Sequence, residues 1–199
     1  MKKKKFHKRR PLKKVFSIIV DGQTEKWYFQ LANKYERFPR IDVKPELAKK
    51  KKLREMFQLV VENATIYDKV FWLIDLDIIL QNNQTNEFKN YFLKLKRNEK
   101  VVVLVNNPCL ELWFLLHFKE TARVFTNCES AEKELMKNEM FKDYRKTEKY
   151  YKSYQNDVYQ KLKPFQQTAV ARAEKLGEID FSKIEEPKAE IYKIFDMLG

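Results

Sequence analysis

The sequence predicts an α/β protein: a mostly parallel four-stranded sheet with flanking helices, followed by a helical C-terminal region. Three observations carry this. Short β-branched and aromatic runs alternate with amphipathic stretches through residues 15–120, the pattern of right-handed β-α-β crossovers. Two of the runs, residues 70–74 and 101–105, are apolar without alternation, as strands buried on both faces are. After residue 119 the strands give way to helical spacing. The 199 residues, 44% hydrophobic and 14% aromatic, suffice for a folded core, and 3 Gly with 6 Pro leave little room for long flexible connections.

In order, residues 15–20 form the first strand. Asp21-Gly22-Gln23-Thr24 is a tight turn in which Gly22 lets the backbone bend. Thr24 caps a helix over 25–35, and Glu25 sits in its first turn, where the helix dipole favours an anion. Residues 41–43 are a short second strand. Residues 50–63 are an amphipathic helix with Leu53, Met56, Phe57, Val60 and Val61 at helical spacing. The central strand runs from Val70 and ends in Asp75-Leu76-Asp77. A polar loop over 81–86 and a helix over 87–97 lead to the strand at 101–105. Asn106-Asn107-Pro108 stops that strand, with Asn107 as cap and Pro108 at the first helical position. The helix over 108–118 is apolar nearly all round, so Glu111 and His117 stand out. Further helices are expected over 130–138, 157–176 and 187–198.

The formal net charge is +13, and nine of the Lys and Arg residues fall within positions 2–14 with no acid among them, leaving +4 for the rest. Such an arm, including Lys3, Lys4, Lys5, Arg9 and Arg10, binds polyanions by releasing counterions; the other reading is a solvated tail. Residues 141–159 interleave Lys and Arg with Tyr144, Tyr150, Tyr151, Tyr154 and Tyr159. Arg145, Lys146, Lys149, Lys152 and, further on, Arg172 are the candidate nucleic-acid contacts there; packed tyrosines with solvated lysines are the alternative. Cys109 and Cys128 are too few for a disulfide framework and lack zinc-ligand spacing, so Cys109 is expected as a buried core thiol, in keeping with a reducing cytoplasm. No apolar run has the length of a membrane span.

Carboxylates recur at equivalent places. Asp21 follows the first strand, Asp75 and Asp77 end the central one, and Glu111 follows the last. If strand geometry continues through residue 77, Asp75 and Asp77 project to one side. Parallel strands end at one rim, so these acids converge there, and like charges so gathered favour a hard divalent cation. The alternative is that Asp75 ends a strand and Asp77 opens a turn.

The chain resembles the RloB-like family of bacterial phage-resistance proteins, and through it the Toprim domain of topoisomerases, primases and overcoming-lysogenization-defect nucleases. The likeness lies in Ile19-Val20-Asp21-Gly22-Gln23-Thr24-Glu25, in Trp72-Leu73-Ile74-Asp75-Leu76-Asp77, and in Asn106-Asn107-Pro108-Cys109-Leu110-Glu111-Leu112-Trp113-Phe114-Leu115-Leu116-His117-Phe118. Weaker echoes lie in 169–176 and 187–198. The resemblance implies a Toprim-like three-layer fold over 15–120, preceded by a basic disordered arm (1–14) and followed by a mainly helical extension (121–199) packed on it. It implies a nuclease hydrolysing RNA or DNA with Mg²⁺ or Mn²⁺ in abortive-infection defence. Asp21, Asp75, Asp77 and Glu111 would be metal ligands, and Asp21, Glu25, Glu111 and His117 catalytic residues. Toprim domains carry Glu where Asp21 stands, which shortens the reach of the carboxylate and leaves Glu25 to compensate. The expected partners are nucleic acid, a second copy of the chain and other defence-system proteins, without a membrane. Two other readings remain: a nucleic-acid-binding protein with a degenerate site, and a nucleotide sensor using the same metal–phosphate geometry.

Overall fold

The computed structural model describes residues 14–20, 22–38, 41–44 and 52–198. Its sheet has five strands: β1 (Phe16–Ile19), β2 (Ile41–Lys44), β3 (Lys69–Asp75), β4 (Val101–Asn107) and β5 (Lys188–Ala189), ordered β2-β1-β3-β4-β5. The first four are parallel, and β5 pairs antiparallel with the end of β4 through Asn106↔Ala189 and Asn107↔Lys188. The expectation of four strands is therefore corrected to five. The extra strand is two residues long and lies inside the segment read as one helix over 187–198; only α10 (Tyr192–Leu198) is helical there. A two-residue strand leaves no periodicity to read.

β3 is buried on both faces, as its unbroken apolar run requires. Phe71 and Leu73 join one core layer, while Val70, Trp72 and Ile74 join the other. The second layer is covered by α2 (Leu53–Ile66), α3 (Leu76–Gln81) and α4 (Thr85–Leu95). The first is covered by α1 (Gln23–Glu36), α5 (Leu110–Phe118), α6 (Cys128–Leu135), α7 (Glu148–Tyr151), α8 (Val158–Leu162), α9 (Gln166–Lys175) and α10, while Ile179, Phe181 and Ile184, between α9 and α10, pack on the second. α5 packs against both α6 and α9, which explains why it is apolar all round: it has no face left for water.

Several local readings change. α1 starts at Gln23 with Gly22 as its N-cap, so Thr24 lies inside the first turn instead of capping it. Gly22 has φ −119°, extended backbone open to any residue. Its lack of a side chain leaves space for Glu25: a Cβ there would overlap the Glu25 carboxylate, which would have to shift. β4 runs through Asn107, and α5 begins at Leu110 with Cys109 as N-cap. Asn107 is therefore a strand residue that ties down the C-terminal region, donating from Nδ2 to the carbonyls of Ile184 (2.9 Å) and Glu186 (2.8 Å). Buried Glu190 fixes the same edge by accepting from the N–H groups of Val105 (3.0 Å) and Ile179 (2.8 Å).

Candidate active site

β3 ends at Asp75 because Leu76 enters α3. Asp75 and Asp77 are thus a strand end and a first-turn helical residue, and the alternation that would have aligned them stops between them. Asp75 lies opposite Asn106 in the parallel register. Its Oδ1 accepts from Asn106 Nδ2 at 3.1 Å and its Oδ2 from the backbone N–H of Leu110, the first residue of α5, at 3.4 Å. Asp77 is buried. Its Oδ1 accepts from Ile78 N–H at 2.7 Å, and its carboxylate also takes the N–H of Cys128, the first residue of α6. Burial raises its pKa above the usual aspartate range; those two N–H groups and the Lys146 charge pull it back, and Glu111 pushes it up. The two aspartates therefore sit on the N-termini of α5 and α6, where unsatisfied N–H groups favour an anion.

The same two helix starts are joined covalently. Cys109 and Cys128 form a disulfide, with Cα atoms 5.7 Å apart. This corrects the expectation of a core thiol at Cys109: spacing along the chain does not reveal that α6 returns beside the start of α5.

Glu111, in the first turn of α5, is almost wholly buried. Its Oε1 accepts from the Tyr144 hydroxyl at 2.7 Å and pairs with Lys146 Nζ at 3.0 Å, and Lys146 also reaches Glu132 at 3.4 Å. Tyr144 and Tyr151 share a hydrogen bond of 2.5 Å. Burial and then the Glu111 charge hold both hydroxyls well above the usual tyrosine range, so both stay protonated. Glu25 is buried in the first turn of α1, takes the Thr24 hydroxyl at 3.0 Å, and its charge is felt at Tyr151. A buried polar chain thus runs from Glu111 through two tyrosines toward Glu25.

His117 lies elsewhere. Six residues along α5 from Glu111 is about 9 Å of rise and a different face. The imidazole is buried; Nδ1 bonds the Trp113 carbonyl at 2.8 Å, and Nε2 has no hydrogen-bond partner among the described residues. Burial, opposed by the Trp113 and Phe114 carbonyls and assisted by the Arg172 charge, lowers its pKa to about 4.

Asp21 lies outside the described residues, as do Lys3, Lys4, Lys5, Arg9 and Arg10. Of the other basic candidates, Lys146 is committed to Glu111 and Glu132, Lys152 pairs with Glu148 at 2.6 Å, and Arg172 donates to the Leu116 carbonyl at 2.8 Å. Arg145 and Lys149 are exposed around a hollow shared with Tyr150 and Lys161. Tyr144, Tyr151 and Tyr159 are core residues, whereas Tyr154 is fully exposed.

Among the described residues, the metal-ligating group of three gathered within 4.8 Å is Asp75, Cys109 and Cys128, and its sulfurs are bonded to each other. The expected gathering of Asp75, Asp77 and Glu111 is not met: their carboxylate oxygens do not form such a group among the described residues, and Glu111 is paired with Lys146. What the sequence reading missed is that Asn106, taken as a strand stop, and Tyr144 and Lys146, taken with the nucleic-acid stretch, orient these acids. Parallel strand ends hint at Asn106; nothing local announces residues more than 30 positions from Glu111.

A family model described as RloB-like protein matches residues 16–198. Comparison with curated proteins and with solved structures finds no match. No helix among the described residues is long and apolar enough to cross a membrane.

Proposed function

The chain belongs to the RloB-like family, and from that premise we propose that it is a metal-dependent nuclease on a Toprim-like scaffold, hydrolysing phosphodiester bonds in RNA or DNA in defence against phage. The observation that carries the reading is the clasp on Asp75: a carboxylate at the end of the central strand, oriented by Asn106 and by the first N–H of α5, on the same rim as buried Asp77. Mg²⁺ or Mn²⁺ held by Asp75 and Asp77, with Asp21 as the third acid, would supply an activated water and stabilise the leaving oxygen.

The chain's own residues do the rest. Asn106 and Leu110 N–H fix the direction of Asp75 before substrate arrives, so no reorganisation is needed at the reacting centre. Glu111 is oriented by Tyr144 and Lys146 and acts behind the aspartates as a positioning residue. His117, neutral and embedded in the core, serves the packing of α5.

The test is cleavage of plasmid DNA, RNA and tRNA by the full chain with Mg²⁺ or Mn²⁺. Asp75→Asn, which keeps the shape and one acceptor, is expected to cost roughly 100-fold or more in rate, the scale of losing a principal electrostatic contributor, with the melting temperature changed far less. Cleavage of none of these with either metal overturns the reading. A second reading is favoured by one observation: Asp75, Asp77 and Glu111 are all balanced by protein donors or by Lys146. It is a nucleic-acid-binding or nucleotide-sensing protein with a degenerate site, whose salt-dependent binding is indifferent to Asp75→Asn.

A further inference from the structure

On the α2–α4 side of the sheet, at the carboxyl end of β3, lies a cavity of about 730 Å³. Pockets of this size hold cofactor-sized ligands. It opens between the start of α2 and the turn joining α3 to α4, at the strand edge where α/β sheets bind ligands.

The walls are chemically divided. Lys52 and Arg54, both exposed, stand at the start of α2 on one rim. Asn82 and Gln84 bring side-chain amides from the turn between α3 and α4. Ile78, half exposed, and Ile74 give an apolar surface, and Asp75 closes the side toward the carboxylate rim. Glu87, also on the wall, is turned to its own helix by the Tyr91 hydroxyl (2.9 Å) and Gln84 (3.3 Å). Trp72 adds a second kind of observation. It lines the cavity and is fully buried, yet its indole N–H has no acceptor among the described residues. A buried donor without an acceptor costs about 1–3 kcal/mol, and a ligand acceptor in the adjoining space removes that cost.

We propose that this cavity binds a nucleotide. The phosphate sits with Lys52 and Arg54, the base lies on Ile78 within reach of the Asn82 and Gln84 amides, and an acceptor on the ligand takes the Trp72 N–H. The proposal deepens the nuclease reading, because Asp75 then borders both the nucleotide and the reacting phosphate. Its test needs neither metal nor turnover.

The test is titration of the ¹⁵N-labelled full chain, in a metal chelator, with adenosine, guanosine, cytidine and uridine monophosphates and with inorganic phosphate. The reporter is the Trp72 indole signal, assigned by Trp72→Phe. At least one nucleotide is expected to move it with half-saturation below about 1 mM, and Arg54→Ala, a surface change, to weaken that binding roughly tenfold. No shift with any nucleotide at about 10 mM, well above that range, overturns the proposal. So does an equal response to phosphate alone, which means an anion site only. Binding without any nuclease activity supports the pocket and removes the nuclease reading, and cleavage without binding does the reverse.

Discussion

At the scale of single residues, the same ionisable types meet opposite fates according to what surrounds them. Asp77 and Glu111 are buried but each is held by donors, Asp77 by two backbone N–H groups and Glu111 by a tyrosine and a lysine. His117 is buried with one ring nitrogen unpartnered among the described residues, and its pKa falls to about 4. In the unfolded chain the imidazole keeps its ordinary value of about 6.5. A lowered folded pKa means that the unfolded state binds the proton first as pH falls. The stability is therefore complete above about pH 6.5 and is lost progressively toward pH 4. The loss reaches roughly 3 kcal/mol once both states are protonated, at 1.36 kcal/mol per unit. Urea unfolding at neutral pH and near pH 4.5 is expected to give a shallower acid loss for His117→Leu than for the parent chain. Equal losses would contradict a buried neutral imidazole.

At the scale of elements, the three-residue pattern Asp75-Leu76-Asp77 works through helix starts. Asp75 meets the first N–H of α5 and Asp77 the first N–H of α6, and the Cys109–Cys128 bond ties the two starts together. The bond closes a loop of sequence separation 19, for which chain-entropy estimates give roughly 3 kcal/mol. Reduction, or Cys128→Ser, is expected to lower the melting temperature by roughly 6–12 °C. A melt unchanged by reductant would mean that the bond adds nothing.

This element is also where the sequence stops being legible. β3 and β4 could be read because each carries a run of five apolar residues, β1 because residues 15–20 are apolar but for Ser17, and α5 because its hydrophobicity has no polar face; β2, Ile-Asp-Val-Lys, offered only a short β-branched segment. Asp75 at a strand end and the burial of Glu111 followed from the same runs. The cysteine pairing, the Lys146–Glu111 bond and β5 did not, because each joins segments whose approach depends on how α6 to α10 fold back. Gly22 carried a misleading signal: a glycine in a turn suggests backbone freedom, whereas here it makes room for Glu25.

At the scale of the whole molecule, the C-terminal region is part of the sheet's first core layer. Ile191, Ile194, Phe195 and Leu198 lie in one cluster with Tyr28, Phe71 and Trp113, and β5 completes the edge of β4. Ile194, fully buried, is expected to cost about 2–5 kcal/mol when cut to alanine. Circular dichroism and tryptophan fluorescence should then report a single shifted transition, since the helices after residue 120 and the sheet share that cluster. Two separated transitions would mean that the C-terminal helices melt alone.

The same packing holds the rim in position. α5 and α6, packed on the sheet and bonded to each other, present their N-termini to Asp75 and Asp77. The central claim is that this rim, positioned by the sheet and two helix starts, is where a hard cation and a phosphodiester meet. The most direct measurement is anomalous scattering from a crystal of the full chain soaked in Mn²⁺. The account predicts a peak at oxygen-ligand distance, about 2.0–2.6 Å for hard cations, from the Asp75 carboxylate, and its disappearance in Asp75→Asn. A soaked crystal with no peak at that rim, or with Mn²⁺ bound only elsewhere, would contradict it.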